Sequence, residues 1–359
     1  MAAMNPSMTA LCVGLCLTLS LSAAAAEKKR APSSAVRDDS AAPTYGLRDD
    51  VMRFADELAE RQGLDAAMVR AALSSARYQP SVAKFILPPP AGTAKNWAAY
   101  RSRFVEPVRI QAGLAFWRAN EYWLRQAEER YGVPPEIVVG IIGVETIYGR
   151  QMGNFRVIDA LATLAFDFPA GRKDRSAFFR DELEQFFVLC SAQGSDPLAL
   201  KGSYAGAIGM AQFMPSSFNR YALDFDADGS VDLHFSVADV IGSVAHYLVA
   251  FGWQRDVPTH FDVAVPVDAA ERAVLLGPDI VPTFSATEFT ERGAQLEAAA
   301  LAHEGKLALI ELQNGDAAPS YVAGTANFYT VTRYNWSSYY ALAVIELGAT
   351  VKRLFMLSR

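Results

Sequence analysis

The sequence predicts a mainly α protein of the α+β class: a helical core, a helical domain before it and a small β-rich insertion near the end. Three observations support this. Apolar residues recur at helical intervals through most of 49–255, as in "DDVMRFADELAERQG" and "AFFRDELEQFFVLCSAQG". The texture then changes to short alternating or β-branched runs, "HFDVAVPV", "KLALIELQN" and "ANFYTVTRYN", which read as strands. The last run, "SSYYALAVIELGATVKRLF", returns to helix with Ser337 or Ser338 as its cap. At 359 residues, 51% hydrophobic and 20% charged, the chain can bury a sizeable core and is too apolar for disorder.

Taken in order, residues 1–26 contain no Asp, Glu, Lys or Arg, and "ALCVGLCLTLSLS" is a short apolar run followed by small residues and then charge. This reads as a secretory signal cleaved near Ala26, which places the protein in the periplasm. "VGLC", ending at Cys16, faintly resembles a lipoprotein processing site, so anchoring to a membrane as a lipoprotein is the alternative to a soluble form. Residues 27–45 form a linker rich in Ala, Ser, Pro and charge, and "KKR" within it is flanking charge. Removal of the signal leaves Cys190 as the single cysteine, so no internal disulfide forms.

Residues 46–95 are the N-terminal helical domain. Val51, Phe54 and Leu58 share a helix that stops at Gly63, "LDAAMVRAALSSA" is a second helix, and Pro88 to Pro90 close the unit. Residues 96–257 are the core, 258–322 the β-rich domain, and 323–359 the C-terminal part of the core. A net charge of −6 gives no basic field for nucleic acid. There is no GxxxxGK[ST], GxGxxG or HExxH, His234, His246, His260 and His303 show no zinc spacing, and no organic cofactor is expected.

Chemistry centres on "VPPEIVVGIIGVETIYGR". Pro134 and Pro135 open a helix, Glu136 occupies its first turn and Gly149 ends it. Val138, Ile141 and Ile142 precede Glu145 by seven, four and three residues, so the carboxylate emerges from an apolar surface. Desolvation there raises its pKa and makes a general acid. The bland alternative is a buried Glu paired with Arg150 or Arg156. "LKGSYAGAIGMAQFMPSSF" brings Gly202, Gly206 and Gly209 close together, with Ser203 and Gln212 able to bond hydroxyl or acetamido groups. "DFDADGSVDLHFSVAD" places Asp224, Asp226 and Asp228 at alternate positions before Gly229, as in the first half of an EF-hand loop, and Ser230 offers a carbonyl. Its twelfth position is Phe235, so either Asp239 closes a longer loop or the stretch is a solvated acidic turn. "NFYTVTRYNWSSYY" supplies aromatic rings that stack on sugars, or only core, and Cys190 lies on an apolar face as an inert thiol.

In this order, "VPPEIVVGIIGVETIYGR", "DALATLAFDFP", "LKGSYAGAIGMAQFMPSSF", the Asp-rich loop, "IGSVAHYL" and "NFYTVTRYN" resemble the B-type membrane-bound lytic murein transglycosylases from about Tyr100 to the C-terminus. The resemblance implies a lysozyme-like core and cleavage of the β-1,4 MurNAc–GlcNAc bond of peptidoglycan glycan strands with formation of a 1,6-anhydroMurNAc end. It makes Glu145 the single catalytic acid, then base. Tyr100, Ser203, Gln212, Tyr247, Tyr334, Asn335 and Tyr340 become substrate-binding residues. A structural Ca2+ would be held by Asp224, Asp226, Asp228, Ser230 and Asp239. Proteins of cell-wall synthesis or remodelling are the protein partners such an enzyme would meet. The rival readings are a lysozyme-type muramidase, which needs a second carboxylate such as Asp159 or Asp167, and a non-catalytic peptidoglycan-binding protein.

Overall fold

The computed structural model describes residues 43–88 and 95–358; the expected signal, most of the linker, and Pro89 and Pro90 lie outside the described residues. Three helices come first: α1 (Asp49–Gln62), α2 (Ala66–Ser75) and α3 (Pro80–Phe85). Gly63 ends α1 in the left-handed conformation, and the Asp65 carboxylate caps α2 by accepting from the Ala67 and Met68 amides. Tyr45, assigned by its sequence to the linker, is buried instead, and its hydroxyl donates to Asp167. The folded body therefore begins before residue 46.

Next come α4 (Trp97–Arg101), α5 (Pro107–Ala119), α6 (Glu121–Tyr131) and α7 (Pro135–Thr146), then strand β1 (Phe155–Arg156), α8 (Val157–Phe166) and α9 (Ser176–Gln193). Strand β2 (Lys201–Gly202) pairs antiparallel with β1, and α10 (Pro215–Tyr221) and α11 (Val237–Ala250) follow. Helix α7 is buried on every side: Ile137, Val138, Val139, Ile141, Ile142 and Val144 are all in the core. A helix apolar all round belongs at the centre of a domain. Helix α9 buries Phe179, Phe186 and Phe187, each contributing about 1.5–3 kcal/mol of burial. Cys190 is buried on the same helix, as its apolar setting predicts.

Residues 260–324 carry a second, smaller core. Strand β3 (His260–Ala264) is followed by α12 (Ala269–Leu276), α13 (Ala286–Glu291), β4 (Gln295–Leu296), α14 (Ala298–Leu301), β5 (Ala308–Asn314) and β6 (Ala317–Gly324). The sheet is antiparallel in the order β4-β3-β6-β5, and Phe261, Leu275, Phe289, Leu307 and Leu309 pack together against it. The strand expected over "ANFYTVTRYN" is instead a helix, α15 (Ala326–Thr332). Thr325 caps it, and buried Asn327 donates to the Gln254 and Val257 carbonyls, so tertiary contacts override the β-propensity of Phe328 to Thr332. The partner of β5 is β6, "AAPSYVAG", joined to it by the two-residue turn Gly315–Asp316 that follows the paired Asn314, with Gly315 left-handed at φ 64°.

The chain ends with α16 (Ser338–Leu357), whose N-terminus Ser337 caps by accepting from the Tyr340 amide. Helices α16 and α7 approach unusually closely. A Cβ on Gly140 would lie 2.2 Å from the Val344 carbonyl oxygen, and one on Gly348 only 1.9 Å from that of Glu136. These two contacts set the distance between Glu145, near the end of α7, and Tyr340, near the start of α16.

Candidate active site

Glu145 occupies the last turn of α7 and keeps some surface open to solvent. Its Oε1 accepts a 2.6 Å hydrogen bond from the Tyr340 hydroxyl. Burial pushes its pKa up from 4.5 to about 7, against the smaller lowering influence of Tyr340. No charged side chain contributes to that shift. Arg156, one proposed partner, is taken by Asp159 at 2.7 Å, and Arg150 is exposed with no ion pair among the described residues. The ion-pair reading of Glu145 is therefore not what the fold builds.

The chain immediately beyond Glu145 is strained. The helix stops at Thr146 and not at Gly149, because Ile147 and Tyr148 both take left-handed backbone angles, φ 51° and 56°. A β-branched residue there is unusual, and such positions cost roughly 1–3 kcal/mol each. Three features hold the corner. The Tyr148 ring fills space that only Gly113 and Gly143 leave open, the Thr146 hydroxyl accepts from the Gly149 amide at 3.0 Å, and the Arg109 Nε donates to the Gly143 carbonyl at 2.8 Å. The guanidinium also lies at the negative end of α7.

The aromatic residues form one connected wall. Tyr340 is stacked on Tyr334 at 6.4 Å, Tyr334 lies 4.8 Å from Tyr247, and Phe213 touches both. Tyr334 donates to the Ala211 carbonyl and Tyr247 to that of Arg333, so these two buried rings fix the wall in place. Burial first, then the neighbouring Glu145, with smaller contributions from Tyr334 and the partly exposed Tyr100 on α4, raises the pKa of Tyr340. Asn335 is buried beside Tyr334, and no described residue hydrogen-bonds its carboxamide.

The glycine-rich loop presents Ser203 and Gln212 with defined polarity. The Ser203 Oγ accepts from the Ala205 and Ala207 amides, which leaves its O–H to donate. The Gln212 Nε2 donates to the Met152 and Gly209 carbonyls, so its Oε1 remains as an acceptor. Gln212 itself is left-handed at φ 51°. Gly209, at φ 71°, allows the loop to reach Leu233, whose carbonyl oxygen would be 2.3 Å from a Cβ.

Neither expected second carboxylate is available. Asp159 is buried and held by Arg156 and the Arg77 amide, while Asp167 takes the Tyr45 hydroxyl and Arg48.

In the acidic loop, oxygens of Asp224, Asp226 and Asp239 all lie within 4.8 Å of one another. Asp226 Oδ1 is buried with no hydrogen-bond partner. A buried orphan carboxylate oxygen beside two other carboxylates fits a hard cation with oxygen ligands. Asp239 is buried, and desolvation, followed by the nearby Asp226 and Asp224 charges, raises its pKa. The exposed Asp228 carboxylate does not join the cluster and instead accepts from the Ser230 amide and hydroxyl. Ser236, which its sequence setting did not single out, donates to Asp226 Oδ2 at 3.1 Å. Its position three residues before Asp239 is an N-cap signal, and it fills that role too.

The transglycosylase SLT domain family matches residues 46–349 of the chain. The membrane-bound lytic murein transglycosylase B of Escherichia coli (strain K12) is 39% identical over 310 residues, which are 84% of this chain and 82% of that protein. The structure of the Escherichia coli lytic transglycosylase Slt35 in complex with calcium is similar at a TM-score of 0.73 and 37% identity, covering 86% of this chain and 94% of that one. SltB3 from Pseudomonas aeruginosa in complex with NAG-anhNAM-pentapeptide is similar at a TM-score of 0.70 and 28% identity, covering 84% and 79% respectively.

Proposed function

We propose that this chain, which belongs to the transglycosylase SLT domain family and is a lytic transglycosylase acting on peptidoglycan, runs its reaction on one carboxylate, Glu145. The observation that carries this reading is a carboxyl with a pKa of about 7 that, among the described residues, has no ion pair and is hydrogen-bonded by Tyr340 alone.

Protonated Glu145 gives its proton to the oxygen leaving MurNAc C1 as the β-1,4 bond breaks. The substrate's own acetamido oxygen stabilises the electron-poor C1, a role that a nucleophilic carboxylate fills in other glycosidases. The Glu145 carboxylate then takes the proton of the muramoyl 6-hydroxyl, and that oxygen closes on C1 to give the 1,6-anhydro ring. The proton count balances: Glu145 ends as it began. Ser203, as a donor, suits an acetamido or lactyl oxygen, and Gln212, as an acceptor, suits an N–H or O–H of the glycan. Asn335 and Tyr100 complete the polar and aromatic lining, with Tyr340, Tyr334 and Tyr247 behind them. The substrate is the glycan strand with its peptide stems, as the anhydro-muropeptide bound by the relative SltB3 supports. Residues 46–95, 96–257 with 323–359, and 258–322 are the helical, catalytic and β-rich parts in this reading. The chemistry belongs in the periplasm; among the described residues no helix is long and apolar enough to cross a membrane. A mass-spectrometric digest of purified peptidoglycan tests the reaction. Anhydro-muropeptide ends are expected, and reducing ends would move the protein to the hydrolases.

The acidic loop we assign to structural Ca2+ held by Asp224, Asp226 and Asp239, with Asp228 and Ser230 as further ligands if the loop closes on the ion. Support comes from the orphan Asp226 oxygen and from the calcium in the relative Slt35. Ion binding at 100 times its dissociation constant stabilises a fold by about 2.7 kcal/mol. Chelation should therefore lower the melting temperature by on the order of 5 °C, restored by calcium and absent in Asp226→Asn. An unchanged melting temperature would remove the calcium site.

A further inference from the structure

We infer that Thr146 is a positioning residue for the reaction, one that locks the acid to the glycine-rich loop through a single hydroxyl. The inference rests on Glu145 being the acid. Thr146 is fully buried, directly after Glu145, and makes three contacts with one side-chain oxygen. It lies 2.9 Å from the Met210 carbonyl, 3.3 Å from the Ile142 carbonyl, and accepts from the Gly149 amide at 3.0 Å. A hydroxyl has one hydrogen, and the shorter distance gives it to Met210.

That bond joins parts of the site that are far apart in sequence. On one side is the final turn of α7 with Glu145, followed by the left-handed pair Ile147 and Tyr148. On the other is the loop whose Met210 lies two residues before Gln212. The Met210 amide donates onward to the Leu233 carbonyl at 2.8 Å, in the acidic loop. The Thr146 carbonyl accepts from the Gln151 amide at 2.9 Å, and the adjacent Met152 carbonyl receives the Gln212 side chain. Acid, Gln212 and acidic loop are thus referenced to one side chain. Interior geometry of this kind matters because a displacement of about 1 Å between reacting groups can cost on the order of 100-fold in rate.

The pair Thr146→Ser and Thr146→Ala tests this, since both remove the methyl and differ only in the hydroxyl. The expected result is a kcat for Thr146→Ser within about threefold of wild type and one for Thr146→Ala lower by tenfold or more, with KM little changed. Thr146→Val, which keeps the shape without the hydroxyl, should follow the alanine variant. Equal kcat values for serine and alanine, with only melting temperature altered, would overturn the proposal, as would a selective rise in KM. If Thr146→Val does not fold, the serine and alanine comparison still decides. Glu145→Gln is run alongside: full activity there would sink the acid assignment itself, whereas an inactive Glu145→Gln with equal serine and alanine variants sinks the Thr146 role alone.

Discussion

Glu145→Gln should lower kcat on peptidoglycan by about 10^3-fold or more while leaving the fold intact, measured by release of anhydro-muropeptides. The amide matches the carboxyl in shape and can still accept from Tyr340, but it neither gives nor takes a proton at the glycosidic oxygen. Wild-type kcat should fall as pH rises through about 7, the pKa at which burial leaves Glu145 half ionised. Stability follows the same group with a defined sign. Its folded pKa lies above the ordinary 4.5, so the fold holds this proton more tightly than the unfolded chain does. The resulting stabilisation is complete below pH 4.5 and is lost as pH rises through about 7. Relative to Glu145→Gln, the wild type should therefore lose melting temperature between these two limits. A glutamine variant that keeps full activity, or a pair of melting curves that run parallel across this range, would contradict the role given to burial.

Gly348→Ala should be a strongly damaging single-methyl change for a position outside the reacting groups. Its Cβ would meet the Glu136 carbonyl oxygen at 1.9 Å, a backbone atom within the buried helix α7 that has no free end to swing away. Helices α7 and α16 would have to part, and Tyr340 would move off Glu145 with them. Overpacking of this sort costs about 1–3 kcal/mol and at times more. A fall in melting temperature on the order of 5–10 °C is expected, together with reduced kcat. Arg353→Ala, exposed on the same helix, should stay within about 0.5 kcal/mol of wild type in a denaturant titration. Equal behaviour of the two variants would mean that the close helix approach does not set the site.

Much of this site was legible because its residues announce themselves by contrast. Glu145 is an acid in an apolar run, Ser203 and Gln212 stand among closely spaced glycines, and Asp224, Asp226 and Asp239 flank a turn glycine. A serine cap at 337 or 338 is readable because capping is a local matter, and the fold uses Ser337. What stayed hidden depends on distant partners. Nothing next to Thr146 says that its hydroxyl meets residue 210, and nothing near Tyr148 says that Gly113, on another helix, leaves room for its ring. The helix at Phe328 carries a strand-like sequence, but its β-prone residues are outweighed by Asn327, which bonds back to residues 254 and 257. Asp228 fits the loop pattern by spacing, yet its carboxylate turns to the Ser230 hydroxyl at the surface.

The most direct test of the single-carboxylate account is a carbon NMR titration of the Glu145 carboxyl, assigned by its loss in Glu145→Gln and set beside the pH profile of kcat. The expected midpoint is about 7, coinciding with the loss of activity. A midpoint at the ordinary glutamate value of about 4.5, with activity persisting well above it, would show that Glu145 is ionised at working pH and cannot be the acid.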